Sequence, residues 1–171
     1  MTQQAPSLPP SAVVVQMAMG YTVSRALYVT AKLGIADLLA AGARQSDDLA
    51  KACGADAGAL FRLLRAMASL GLFTEVAPRK FALTPMGETL KSKQPAAVRE
   101  TVLSLAGGWV WAAFAEFEHA VRTGQTGFEK AHRMGAFDYL SRHPEDAALF
   151  NDAMIGVHGP EPAAVAQAFS F

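Results

Sequence analysis

The chain has 171 residues, of which 51% are hydrophobic and 18% charged, with fifteen basic residues balancing fifteen acidic ones. Zero net charge excludes a generally cationic nucleic-acid binder, and a single cysteine, Cys53, excludes a disulfide framework or a cysteine-rich zinc site. So much apolar surface on so short a chain demands either a large core or burial against a second chain.

The first eleven residues are rich in Pro and Gln and lack the basic and apolar regions of a signal peptide, so they read as a disordered tail. Ser11 is placed to cap a helix running into the thirties, with Val15, Met19, Val23, Leu27 and Leu33 near helical spacing. Val14, Met17, Tyr21 and Val29 occupy its other faces, so the helix needs cover on more than one side, in a core or in a dimer. Arg25 and Lys32 within this stretch exclude a transmembrane span. A cytoplasmic location without membrane contact is expected.

Ile35 to Ala41 reads as a short helix, and Ser46-Asp47-Asp48 opens a second one ending at Gly54. Asp56 caps a third, whose Leu60, Leu63, Leu64, Met67 and Leu70 form one stripe closed by Gly71. Phe73 to Val76 and Lys80 to Leu83 read as strands joined by a turn at Ala77-Pro78-Arg79. Helix, helix, helix, hairpin is the order of a winged helix-turn-helix. Thr84-Pro85 then restarts a helix. Further helices are expected over 96–105, 109–122, 136–142 and 144–157, with Gly159-Pro160 as a stop. The fold class is mainly α, with one small β-hairpin.

A winged helix often reads DNA, but the third helix offers only Arg62 and Arg65 as cations and the hairpin only Arg79 and Lys80. Groove readers present more basic and amide side chains, so a DNA-binding regulator is the alternative reading, set below the one that follows. No dinucleotide-binding glycine turn, phosphate loop, metalloprotease motif or nucleophile elbow occurs, and His119, His132, His143 and His158 lack metal-ligand spacing. No residue is assigned to catalysis, a cofactor or a metal. The aromatic residues Trp109, Trp111, Phe114, Phe117, Phe128, Phe137, Tyr139 and Phe150 suit either a core or a pocket for an aromatic ligand.

Three blocks, taken in order, carry a family resemblance. They are Ser24 to Leu39 (SRALYVTAKLGIADLL), Leu60 to Phe73 (LFRLLRAMASLGLF) with Phe81 to Gly87 (FALTPMG), and Phe128 to His132 with Phe137 to Leu140 and Phe150 to Met154. Together they resemble the plant-type O-methyltransferases and their bacterial relatives of secondary metabolism. The resemblance implies a winged-helix dimerisation domain over 12–94 after the 1–11 tail, then a helical connector over 95–171 leading to a Rossmann-like domain. It places the catalytic histidine and the S-adenosyl-methionine site of that family in the Rossmann-like domain, beyond Phe171, so this chain alone is expected to be non-catalytic. It implies a homodimer through Val15, Met19, Tyr21, Val23 and Leu27. It also implies that Trp109, Trp111, Phe137, Leu140, Phe150 and Met154 line the site of a small aromatic acceptor. A stand-alone dimeric ligand-binding module is the remaining alternative.

Overall fold

The computed structural model describes residues 8–92, 97–158 and 161–168. It is mainly helical, with one three-stranded antiparallel sheet. Helices α1 (Pro10–Ala18) and α2 (Gly20–Lys32) lead into α3 (Ile35–Leu38), strand β1 (Arg44–Gln45), α4 (Ser46–Cys53) and α5 (Ala57–Ser69). The hairpin β2 (Phe73–Ala77) and β3 (Lys80–Leu83) follows, then α6 (Pro85–Glu88) and α7 (Arg99–Leu105). The chain continues through α8 (Gly108–Ala115), α9 (Phe117–Thr123), α10 (Gly127–His132), α11 (Ala136–Arg142), α12 (Pro144–His158) and α13 (Glu161–Ala168).

The expected single first helix is two helices. Gly20, a poor helix former, follows a Met19 whose carbonyl accepts from both the amide and the hydroxyl of Thr22 (3.0 and 2.7 Å), and the axis restarts there. The helix also starts at Pro10, inside the expected tail, with Pro9 rather than Ser11 at the N-cap; a proline at the first helical position is preset for that role. Residues 1–7, the expected boundary between 94 and 95, and Gly159-Pro160 lie outside the described residues.

The core lies where α2, α3, α4 and α5 meet the sheet. Ile35, Leu39, Leu49, Leu60, Leu64, Met67, Phe73 and Phe81 are buried together, and the C-terminal half of α2 joins them through Ala26 and Leu27. Gly34 makes the reversal from α2 to α3 at φ 64°, in the left-handed region where a side chain is strained. Asp56 caps α5, its carboxylate accepting from the Ala59 amide at 2.7 Å. β3 is central in the order β1-β3-β2, with Arg44 opposite Phe81 and Phe73 opposite Leu83. β1 was absent from the sequence reading because two residues are too short to show alternation.

The hairpin turn is tied back to α4. Arg79, at φ 61°, donates to Asp47 at 2.5 Å, and its guanidinium carbon lies 4.1 Å from the centre of the Phe61 ring. This arginine holds the Asp47 carboxyl below its ordinary range, chiefly through the hydrogen bond.

After the hairpin, Thr84 caps α6, its hydroxyl accepting from the Gly87 amide at 3.1 Å and donating to Gly71 and Leu72 carbonyls. The helix expected over 109–122 divides at Glu116 into α8 and α9, because α10 starts against that point: a Cβ on Gly127 would fall 2.6 Å from the Ala113 carbonyl oxygen. α12 lies along α7, with Ala153 fully buried and its carbonyl accepting from the Thr101 hydroxyl at 3.3 Å.

The tightest approach at any described glycine is at Gly87, where a Cβ would sit 2.1 Å from the Leu72 backbone oxygen. Gly87→Ala is therefore expected to lower unfolding stability by about 1–3 kcal/mol, the usual penalty for overpacking. Chemical denaturation checks this, and an unchanged midpoint would contradict the packing described.

Candidate functional site

Among the described residues, two apolar surface features bear on function. The first is α1 with the N-terminal half of α2. No charged residue occurs before Arg25, and no residue of α1 is buried. Val13, Val14, Val15, Met17, Met19, Tyr21 and Val23 are all exposed, Met17 at 77%. Four of the five residues expected at a dimer contact, Val15, Met19, Tyr21 and Val23, lie on this uncovered stretch. The fifth, Leu27, is half-buried and packs against the chain's own core.

The second feature is a cleft of about 490 Å³ between the start of α2 and the α7–α8 region, lined by Gly20, Tyr21, Ser24, Leu105, Trp111, Phe114 and Ala115. Phe114 and Leu105 are exposed at its rim, at 65% and 63%. Its walls are apolar and aromatic, with the Tyr21 phenol and the Ser24 hydroxyl as the polar side chains. Such a lining takes a flat apolar ligand and can fix it by one or two hydrogen bonds.

The six residues expected to line an acceptor site do not come together. Trp111 is on the cleft wall. Trp109, two residues earlier and so on another face of α8, is the centre of a separate aromatic cluster. Its ring stacks on Tyr139 at 5.8 Å and meets the edges of Phe128 at 5.8 Å and Phe150 at 6.3 Å. The Trp109 carbonyl is in hydrogen-bond contact with His132 Nε2 at 2.8 Å, while its indole Nε1 is buried without an acceptor among the described residues. Phe150 is thus part of this cluster, and Leu140 is buried on α11. Met154 is half-buried on α12, and Phe137 stands 81% exposed on α11 without a ring contact among the described residues.

Sequence reasoning missed Gly20, Ser24, Leu105 and Ala115 as cleft residues. Small and aliphatic residues carry no ligand signal in a sequence, and these four become a wall only where α2 meets the α7–α8 region.

The aromatic cluster also contains titratable groups. Tyr139 donates from its phenol to Asp146 at 3.0 Å, and its ring stacks on His143 at 3.8 Å. Burial, and then the Asp146 carboxylate, push the phenol above its ordinary value of 10.0. Among the described residues no group of three or more His, Cys, Asp or Glu is arranged to hold a metal ion. No helix among them is long and apolar enough to cross a membrane. A methyl-donor nucleoside needs a parallel strand running into a glycine turn with an acidic residue beyond it. The described sheet is antiparallel throughout and contains no such strand.

Because the folded state holds the Tyr139 proton more tightly, its contribution to stability is complete below pH 10.0 and is lost as pH rises through the raised folded value. Tyr139→Phe should flatten the alkaline fall in melting temperature above that pH. An identical alkaline slope in the variant would contradict the placement of this phenol.

Known proteins share the sequence and the fold of this chain. Residues 15–93 match the family model of the O-methyltransferase dimerisation domain. The chain is 40% identical over 168 residues to a phenazine O-methyltransferase of Lysobacter antibioticus, covering 98% of this chain and 49% of the relative. It is 41% identical over 135 residues to an 8-amino-8-demethylriboflavin N,N-dimethyltransferase of Streptomyces davaonensis, covering 78% of this chain and 39% of that one. The chain therefore spans about half, or less, of the curated relatives it matches. Among solved structures, that of LaPhzM superposes with a TM-score of 0.90 at 41% identity, covering 96% of this chain and 49% of the other. The neocarzinostatin O-methyltransferase, solved with S-adenosylmethionine and 2-hydroxy-5-methyl naphthoic acid, superposes with a TM-score of 0.73 at 30% identity, covering 86% of this chain and 46% of its own.

Proposed function

Residues 15–93 belong to the O-methyltransferase dimerisation family, and on that premise we propose that this chain is the homodimerising and acceptor-binding part of an S-adenosyl-methionine-dependent methyltransferase. The observation that carries the reading is the charge-free, uncovered surface of α1 and the start of α2. A patch of that extent on a soluble chain requires a partner, and a dimerisation domain supplies one in a second copy. In this reading Val15, Met19, Tyr21 and Val23 meet the partner subunit directly. Leu27 supports them from inside the core. Three helices followed by a hairpin, α3, α4, α5, β2 and β3, serve as a winged-helix scaffold for the association rather than as a DNA reader. Arg62 and Arg65 remain the only cations on α5, and Arg79 is spent on Asp47 and Phe61.

The acceptor is a small planar aromatic molecule carrying a hydroxyl. The cleft beside Trp111 supports this by its apolar, aromatic lining. The names of the relatives support the aromatic ring, a phenazine in one and a flavin in another, and the neocarzinostatin enzyme, solved with a hydroxylated naphthoic acid, supports the hydroxyl. Bound S-adenosyl-methionine would supply an electrophilic methyl group to the acceptor oxygen. The residues of this chain would hold the ring, exclude water and fix its orientation, which brings the oxygen into line for transfer. Trp111 and Phe114 form the wall, and Tyr21 and Ser24 provide the polar contacts. Trp109 and Phe150 act one layer back, as the aromatic core on which α8 rests. Phe137 remains open for contact with the acceptor or with further chain. The protein works in the cytoplasm, away from membranes.

At micromolar concentration the chain should sediment as a dimer, and Val23→Asp should weaken that association at least tenfold, about 1.4 kcal/mol. A well-folded wild-type monomer would contradict the reading. In the whole methyltransferase, Trp111→Ala should raise the acceptor KM about tenfold with a smaller effect on kcat. An unchanged KM would remove the cleft from the acceptor site.

A further inference from the structure

Arg25 is the first charged residue of the chain, and it is half-buried beside the cleft without lining it. Its guanidinium carbon lies 4.7 Å from the centre of the Tyr28 ring and 5.1 Å from that of Trp111. Its Nη1 donates to the Ala106 carbonyl at 2.8 Å. Among the described residues it pairs with no carboxylate. A half-buried cation kept without a counter-ion must be held by what it touches, and here that is two ring faces and the end of a helix.

The carbonyl it engages is at a sensitive place. Ala106 caps α7, Gly107 follows, and α8 begins at Gly108. The turn has no slack, since a Cβ on Gly107 would fall 2.7 Å from the Leu103 carbonyl oxygen. The Trp111 amide then donates to the Gly107 carbonyl at 2.9 Å, so Trp111 stands one helical turn beyond the joint. The same guanidinium therefore grips the joint from which α8 departs and the indole that α8 carries to the cleft.

We propose that Arg25 is a positioning residue: it clamps the Trp111 indole and the α7–α8 joint to α2, so that the cleft wall is registered on the helix whose N-terminal half carries the self-association surface. The functional consequence rests on the reading of this cleft as the acceptor wall. The clamp itself does not. A lysine would keep the charge but lose the planar fork that addresses a carbonyl and two rings together, so Arg25→Lys is expected to hold the indole only partly.

The test is ¹⁹F NMR of the full chain labelled with 5-fluorotryptophan, which gives two resonances, assigned through Trp111→Phe. In Arg25→Met the Trp111 line should shift and broaden or split while the Trp109 line, inside its aromatic cluster, stays in place. Arg25→Lys should displace the Trp111 line partway. Arg99→Met is the control, because Arg99 Nε donates to the Ala31 carbonyl at 3.1 Å and forms the other tether between α2 and α7. It should lower the melting temperature and leave the Trp111 line where it is. A Trp111 line unmoved in Arg25→Met, or moved equally in Arg99→Met, overturns the clamp. Should Arg25→Met fail to fold, Arg25→Lys decides alone: a displaced line supports the clamp and an unmoved one overturns it. The spectra need no ligand, so an unchanged acceptor KM in Trp111→Ala counts against the acceptor reading while leaving the clamp intact.

Discussion

An apolar surface that no described residue of its own chain covers is the constraint from which the rest of this structure follows. α1 has no buried residue, and no charge precedes Arg25. At about 25 cal/mol for each square ångström of apolar surface removed from water, covering even part of such a face is a substantial driving force. The cost of ordering two chains is met only if the face is continuous and its helices are already held in place. α2 meets that requirement, because its C-terminal half is locked into the core at Ala26, Leu27, Thr30 and Ala31. The helix thus has two ends with different employment: one is core, the other is offered outward.

The cleft inherits its position from this division. Gly20, Tyr21 and Ser24 belong to the outward half of α2, whereas Trp111, Phe114 and Ala115 come from α8. Arg99 and Arg25 tie α2 to the two ends of α7 through the Ala31 and Ala106 carbonyls. Those tethers bring the connector helices to the association helix rather than leaving them on a free linker. Behind the wall, the Trp109 cluster makes α8, α10, α11 and α12 one packed unit. The uncovered face and the cleft are therefore built on one packed frame.

Much of the fold was legible in the sequence because its signals are local. Asp56 as a cap, Gly54 and Gly71 as stops, Thr84-Pro85 as a restart and the hairpin across Pro78 each depend on a few neighbouring residues. The breaks at Met19 and Glu116 were not legible, because they depend on where a carbonyl is captured or where Gly127 of a later helix arrives. The site was legible only in part, for a related reason. Trp109 and Trp111 read alike as aromatic residues two positions apart, yet one is the hub of a core and the other a cleft wall. Periodicity gives the face of a helix, not what lies opposite it. Leu27 shows the same limit: it shares spacing with Val23, but the core reaches it and stops short of Val23.

If the uncovered face exists to be buried in a second copy, the backbone amides of Pro10–Ala18 and of the first turns of α2 should gain protection with concentration. Hydrogen exchange followed by mass spectrometry across a hundredfold range of protein concentration measures this directly. The predicted result is slow exchange over α1 and the start of α2 at high concentration, giving way to fast exchange on dilution, while α4 and α5 stay unchanged. Exchange over α1 that is equally fast at every concentration would contradict it.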